Sequence, residues 1–131
     1  MRICVDTSAY SHFKRGVASA VDAIARARSV AVPAIVLGEL RGGFRFGTER
    51  TKNERELRTF LASPVVSVQE VDGDAADAYA DIYAELRRAG TPIPTNDLWI
   101  SALAARDGLT VVTFDRHFDL VRRVGVLVLT V

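Results

Sequence analysis

Residues 97–113 read Asp-Leu-Trp-Ile-Ser-Ala-Leu-Ala-Ala-Arg-Asp-Gly-Leu-Thr-Val-Val-Thr, and this stretch decides the fold. Its first part, Asp97–Arg106, is apolar nearly all round at helical spacing, which is typical of a helix buried inside a protein. Its second part, Leu109–Thr113, is a short continuous run of mostly β-branched residues, as in a parallel strand covered on both faces. A buried helix that leads directly into a buried strand predicts an α/β fold.

Four further runs of the same kind complete a predicted sheet of about five strands. They are Ile3–Val5, Val30–Val32, Val65–Val68 and Val126–Leu129. Helical patterns separate the strands, and the longest, Asp72–Ala89, is followed by Gly90 and Pro92, which end helices. This alternation predicts one three-layer α/β/α domain over residues 1–131 with a mainly parallel central sheet.

The composition is that of an ordinary globular protein. The 131 residues are 49% hydrophobic and 25% charged, with a formal net charge of +1. No apolar run approaches the roughly 18 residues needed to span a bilayer, and the first residues carry no signal-peptide pattern. Cys4 is the sole cysteine, which excludes an internal disulfide or a cysteine cage for a metal. We therefore expect a cytoplasmic protein with no membrane contact.

Four carboxylates fall where a parallel sheet builds its sites. Asp6 directly follows the first strand, and Asp115 comes two residues after Thr113, where another strand ends. Asp97 begins a helix, and Glu39 lies in the helix after the second strand. In open parallel sheets, sites form beyond the carboxyl ends of the strands, so we expect one acidic pocket there. Taken singly, Asp6 and Asp115 also fit turn-initiating residues, and Asp97 fits a helix-capping residue.

Glu39 and Asp97 are the strongest evidence for an acidic site, because each shares its helix with core-type residues. Ile35 and Val36 precede Glu39 by four and three positions, which puts Glu39 on an apolar helix face. Glycines beside Glu39 leave room for close approach of backbone or substrate. They are Gly38, Gly42 and Gly43.

Gathered carboxylates are kept in a fold only if protons or cations neutralise them. Two unit charges about 4 Å apart repel by roughly 4 kcal/mol at an effective dielectric of 20. Oxygen-only ligands select hard cations, so we expect Mg²⁺, with Mn²⁺ able to substitute. Zinc is not expected, because Cys4 is alone and His12 and His117 are far apart in the sequence.

Arginines crowd the segment after Glu39, and two interpretations of them stay open. The basic residues are Arg41, Arg45, Arg50, Lys52, Arg55 and Arg58. Guanidinium groups suit phosphate and carboxylate partners. Interleaved glutamates, such as Glu54 four residues before Arg58, fit a solvated helix face equally well.

Four motifs resemble those of the PIN-domain family, and most closely those of its VapC-type toxins. They are Val5-Asp6-Thr7-Ser8, Pro33–Leu40 with Glu39, Pro94–Ala102 with Asp97, and Thr113–Phe118 with Asp115. The motif around Asp97 is the most specific. The resemblance runs from end to end and departs from the family at no acidic position.

The resemblance implies a metal-dependent endoribonuclease that is the toxin of a type II toxin–antitoxin pair. In such a protein Asp6 and Asp97 would bind Mg²⁺ directly, and Glu39 and Asp115 would often act through water. A bound ion would activate water to hydrolyse an RNA phosphodiester bond. All four acids are thus candidate catalytic residues and metal ligands.

The same resemblance implies supporting roles for three other residues. Thr7 and Thr113 resemble hydroxyl residues that support the site, and Asn96 resembles a neighbouring polar residue. His117 and Phe118 are interpreted as packing.

The resemblance also implies partners. These are an RNA substrate, a cognate VapB-like antitoxin that places a basic side chain in the acidic pocket, and a second copy in a homodimer. Arg41 and Arg45 are the candidate contacts for RNA or antitoxin.

Two alternatives stay open. One is a PIN-fold module that binds metal or antitoxin without turnover, and the other is an RNA-processing PIN nuclease outside a toxin–antitoxin pair. A receiver domain would need paired acids after its first strand and a lysine after its last. A haloacid-dehalogenase-type phosphatase would need Asp-x-Asp where this chain has Asp6-Thr7-Ser8. No Gly-rich phosphate loop is present.

Overall fold

A computed structural model describes all 131 residues, and its strands lie where the apolar runs predict them, within one residue at each end. The strands are β1 (Arg2–Val5), β2 (Ser29–Pro33), β3 (Val66–Gln69), β4 (Thr110–Thr113) and β5 (Gly125–Val128). The helices are α1 (Thr7–Lys14), α2 (Ala18–Arg26), α3 (Ala34–Phe46), α4 (Arg50–Leu61), α5 (Gly73–Ala89) and α6 (Thr95–Asp107). A 3₁₀ turn covers Arg116–Leu120.

All five strands are parallel, in the order β3-β2-β1-β4-β5. β1 is central, and its Cys4 pairs with Ala31 on one side and Val111 on the other. The chain adds strands in one direction up to β3 and in the other direction from β4. The order therefore reverses between β1 and β4, where parallel sheets open a crevice at their carboxyl ends. The predicted α/β class is confirmed: helices flank a five-stranded parallel sheet.

The sheet supplies about half of the main hydrophobic core. Ile3, Val5, Val30, Val32 and Val112 are each at most 1% exposed. A second cluster joins α5 to α6, whose buried stretch runs from Ile100 to Ala104 as the sequence predicts. This packing fixes the start of α6 against the rest of the fold.

Glycines end the two helices of the second cluster. Gly90 and Gly108 adopt left-handed backbone conformations, with φ of +71° and +66°, that side chains with a Cβ rarely take. The predicted end of α5 at Gly90 is thereby confirmed. None of the helices combines the length and the apolar character that a membrane span requires.

Candidate metal centre

Asp6 is the anchor of the site. It lies at the end of β1 and is 5% exposed. Its Oδ1 caps α1 by accepting the N–H of Ala9 at 2.8 Å, while Ser8 Oγ donates to both carboxylate oxygens at 2.8 and 3.0 Å. Burial raises the pKa of Asp6, although hydrogen bonds from Thr113, Ala9 and Ser8 oppose that shift. Asp6 is thus both a helix cap and a buried carboxylate.

Thr113 joins Asp6 to the end of β4. This threonine is fully buried, and its Oγ1 donates to Asp6 Oδ2 at 2.5 Å. The same oxygen accepts the N–H of Asp115 at 2.9 Å. One hydroxyl group therefore sets the spacing between the acids that follow β1 and β4.

Asp115 begins the 3₁₀ turn and faces Asp97 across the crevice. Its Oδ1 accepts the N–H of His117 at 2.9 Å, so it also is a cap. Asp97 lies in the first turn of α6, which begins two residues earlier at Thr95 rather than at Asp97. Burial, followed by the charges of Asp115, Asp6 and Glu39, raises the pKa of Asp97 to about 6. The four predicted acids are therefore close enough to act on one another.

Glu39 occupies the rim of the site. Thr7 Oγ1 donates to its Oε1 at 2.6 Å and Asn96 Nδ2 donates to its Oε2 at 3.3 Å. Its side chain is exposed, so the expectation of an apolar setting for Glu39 was wrong. The buried residues of α3 are Val36 and Leu40, and Glu39 lies roughly 100° round the helix from Leu40.

The glycines of α3 face open space. A Cβ added at Gly38, Gly42 or Gly43 would meet no atom within 4 Å. No backbone of this chain approaches them, so the expected close approach within the fold was wrong.

His117 is a site residue that the sequence interpretation missed. Its Nδ1 lies 3.1 Å from Asp115 Oδ2 and 3.6 Å from Asp97 Oδ2, and its side chain is 52% exposed. It therefore does not pack in the core, whereas Phe118 is fully buried as expected. The signal in the sequence was the Asp115-x-His117 spacing at a strand end.

Ser8, His12 and Phe114 form a second group that the sequence did not reveal. The N–H of Phe114 donates to Ser8 Oγ at 3.0 Å, and His12 Nδ1 lies 2.7 Å from the carbonyl oxygen of Ser8. The His12 and Phe114 rings stack with centroids 3.9 Å apart. We call these three residues the clamp, because they tie the first turn of α1 to the end of β4.

The donor set fits a divalent cation. The ligand atoms of Asp97, Asp115 and His117 all lie within 4.8 Å of one another. Asp6 and Glu39 lie outside this group of three. The Asp6 oxygens already accept from Ala9, Ser8 and Thr113, which uses most of the roughly four acceptor sites of a carboxylate.

The two predicted basic contacts differ in their surroundings. Arg41 on α3 is paired with Glu54 on α4, with its Nε and Nη2 3.2 Å from the carboxylate oxygens. Arg45 is exposed and bonds only to the carbonyl oxygen of Arg41, at 3.3 Å. Arg45 is thus the freer of the two cations.

A surface cavity of about 710 Å³ lies apart from the carboxylates. It is lined by Gln69, Asp72, Arg106 and Asp107 among others, and by none of the predicted site residues. Arg106 pairs there with Asp107 at 2.8 Å and Asp72 at 3.0 Å. Arg106 therefore neutralises part of the acidic charge that lines this cavity.

Comparisons with known proteins give the family and the fold to which this chain is similar. The sequence profile described as the PIN domain matches residues 3–124. Ribonuclease VapC5 of Mycobacterium tuberculosis is 34% identical over 89 residues, which is 68% of this chain and 66% of that protein. The chain thus matches just under two thirds of this relative's length.

Two solved structures are similar over nearly the whole chain. DNA-bound VapBC from Salmonella typhimurium superposes with a TM-score of 0.84 at 25% identity, covering 97% of each chain. VapBC-5 from Mycobacterium tuberculosis, described as a member of the VapBC family of toxin–antitoxin systems, gives 0.78 at 28% identity. That match covers 98% of this chain and 100% of the other.

Proposed function

This chain belongs to the PIN-domain family, and on that basis we propose that it is a divalent-metal-dependent endoribonuclease and the toxin of a type II toxin–antitoxin pair. One observation carries the proposal: the ligand atoms of Asp97, Asp115 and His117 lie within 4.8 Å of one another. Burial and the charges of Asp115, Asp6 and Glu39 also raise the pKa of Asp97 to about 6. Carboxylates that disfavour one another's charge are stabilised by a bound cation. The similarity to a protein named ribonuclease VapC5 supports RNA as the substrate.

Asp97 and Asp115 would hold the cation, Mg²⁺ or Mn²⁺, and Asp6 is linked to Asp115 through the hydroxyl group of Thr113. An ion held there supplies Lewis-acid chemistry, since it polarises a phosphoryl oxygen and makes water a stronger nucleophile at neutral pH. Burial raises the pKa of Asp6, and the hydrogen bonds that it accepts from Thr113, Ala9 and Ser8 oppose that shift. In its carboxylate form Asp6 adds to the attraction for the cation.

Glu39 is suited to orient the attacking water. It is exposed at the rim, and Thr7 and Asn96 each hold one of its carboxylate oxygens. A carboxylate fixed in this way accepts a hydrogen bond from water and aligns the oxygen for in-line attack on the phosphate.

Substrate binding involves the exposed cations of α3 and α4. Arg45 is free to contact a phosphate, whereas Arg41 is held by Glu54. Binding through phosphate contacts weakens as salt rises, because bound counterions are released from RNA.

A VapB-like antitoxin is the proposed protein partner, and the similarity to VapBC assemblies supports it. A basic side chain of the antitoxin would pair with Asp97 and Asp115 in place of the metal. We include in the proposal a homodimer and a single PIN domain over residues 1–131.

Cleavage of labelled RNAs tests the function directly. A panel of single-stranded and hairpin RNAs is incubated with the protein in Mg²⁺, Mn²⁺ or EDTA. We expect cleavage only with metal, and a loss of more than about 100-fold in Asp6→Asn and Asp97→Asn. Asp119→Asn is the control, since it removes an exposed carboxylate from the 3₁₀ turn that follows Asp115.

Two outcomes would refute the proposal. Cleavage that survives both Asp6→Asn and Asp97→Asn would place the chemistry elsewhere or in a contaminant. No cleavage of any RNA in either metal, by protein that binds the metal, would favour a module without turnover.

A further inference from the structure

The side chains of His117, Asp97 and Asp115 are spaced like donors on a single metal ion. His117 Nδ1 lies 3.1 Å from Asp115 Oδ2 and 3.6 Å from Asp97 Oδ2. Neighbouring donors placed about 2.1 Å from an ion are about 3 Å apart in an octahedron and slightly farther apart in a tetrahedron. The three groups therefore need little movement to share one ion.

The backbone fixes His117 in this position. Asp115 uses Oδ1 to cap the N–H of His117 at 2.9 Å and presents Oδ2 to the imidazole. The side chain of His117 is half exposed, and its polar contacts are the two acids. Nothing in the core requires an imidazole here, so its placement between two carboxylates calls for a separate explanation.

We propose that His117 is a nitrogen ligand of the metal centre and makes it select a first-row transition-metal ion, such as Mn²⁺, over Mg²⁺. The inference rests on the proposed function only in requiring that a metal binds at these acids. Imidazole nitrogen is a softer donor than carboxylate oxygen and favours transition metals, whereas Mg²⁺ prefers oxygen ligands and water. The expectation of an oxygen-only site, drawn from four acids, is thereby revised.

The competing explanation is that His117 is a counter-ion that merely pairs with the acids. Both explanations account for the distances, but only a ligand transfers electron spin density from the metal to its nitrogen. A counter-ion would instead be displaced from the acids when a cation binds.

Pulsed electron paramagnetic resonance of the Mn²⁺-loaded protein separates the two. We expect a hyperfine coupling from a directly bound nitrogen in the wild type, and its loss in His117→Asn. The second histidine supplies the control: His12→Asn must keep the signal, because His12 is not in the metal group.

Metal affinity gives an independent measurement by isothermal titration calorimetry. His117→Asn replaces the ring nitrogen with an amide oxygen near the same position, and exposed His117 tolerates the change without loss of fold. We expect Mn²⁺ affinity to fall about tenfold while Mg²⁺ affinity stays within error. Asp119→Asn should leave both affinities unchanged.

The outcomes separate this inference from the proposed function. Mn²⁺ binding without nitrogen coupling, or an unchanged ratio of Mn²⁺ to Mg²⁺ affinity in His117→Asn, overturns the ligand role alone. Nitrogen-coordinated Mn²⁺ in a protein that cleaves no RNA supports the ligand role and overturns the function. A wild type that binds Mg²⁺ but no Mn²⁺ overturns the ligand role alone, and one that binds neither ion overturns both.

Discussion

Thr113 and Asp6 meet across the two central strands, with Thr113 Oγ1 donating to Asp6 Oδ2 at 2.5 Å. Both side chains are buried, and the same hydroxyl accepts the N–H of Asp115. This contact lies at the point where the strand order reverses, so one hydroxyl group joins the acid that follows β1 to the acid that follows β4.

Removing that hydroxyl should cost stability and metal affinity together. Thr113→Val keeps the shape but leaves the N–H of Asp115 without a partner and removes one of the hydrogen bonds that the Asp6 carboxylate accepts, while those from Ala9 and Ser8 remain. We expect the free energy of unfolding to fall by about 2 kcal/mol in urea titrations, with weaker Mn²⁺ binding. Thr113→Ser keeps the hydroxyl group and should retain most of the stability and most of the Mn²⁺ affinity. Equal stability of the valine variant and the wild type would show that the contact does not matter.

The raised pKa of Asp97 makes stability depend on pH. Its pKa in the folded protein is about 6 against the usual 3.8, so between about pH 4 and pH 6 the folded state binds more protons than the unfolded chain. The free energy of unfolding therefore falls as pH rises through that window. Discounted for the partial exposure of the site, the loss by pH 7 is about 1–2 kcal/mol.

Asp97→Asn should abolish this loss. In EDTA at pH 7 we expect the variant to be more stable than the wild type by about 1–2 kcal/mol, and equal to it near pH 4. Added Mn²⁺ should raise the melting temperature of the wild type much more than that of the variant. Identical pH profiles for the two proteins would argue that the acids do not share a site.

The clamp should couple His12 to Phe114. A stacked ring pair and a hydrogen bond to the Ser8 carbonyl oxygen each contribute about 1 kcal/mol. We expect His12→Ala to lower the free energy of unfolding by about 2 kcal/mol. A double-mutant cycle with Phe114→Leu should give a coupling of about 1 kcal/mol. His12→Asn loses the stack, and a full retention of stability there would contradict the role of the rings.

Arg41 and Arg45 should respond differently to replacement. Arg41→Ala breaks the pair with Glu54 and should lower stability by less than about 1 kcal/mol, with little effect on RNA binding. Arg45→Ala should leave stability unchanged. A plot of the logarithm of the RNA-binding constant against the logarithm of the salt concentration should have a slope smaller in magnitude by about one. Filter binding of each variant to a fixed RNA at several salt concentrations measures this slope. A slope lowered only in Arg41→Ala would reverse the assignment.

The three central strands were predictable because burial on both faces leaves a continuous apolar run in the sequence. Short β-branched runs such as Val30–Val32 are typical of strands of this kind. The helix α1 was not predicted, since only Ala9 and Tyr10 of it are buried and no apolar stripe marks it.

The site was predictable only in part. Asp6 and Asp115 could be placed from strand ends, yet their physical weight was underestimated: Asp6 is the buried acid and Glu39 is exposed. Spacing along α3 gave the neighbours of Glu39 but not the side of the helix that faces the core. A single histidine in a turn shows no periodic pattern in the sequence. Its place beside the acids follows from the hydrogen bond by which Asp115 caps the turn, which only the structure shows.

The central position of β1 determines when, during synthesis of the chain, the site can form. β1 pairs early with β2, but its other edge waits for β4, about a hundred residues later along the chain. A ribosome-bound chain that has not yet released residues 110–117 lacks Thr113, Asp115 and His117, even where Asp6, Glu39 and Asp97 have already emerged. The proposed metal centre therefore cannot assemble on such a chain, and we expect the proposed nuclease activity only after the segment that completes the centre has left the ribosome.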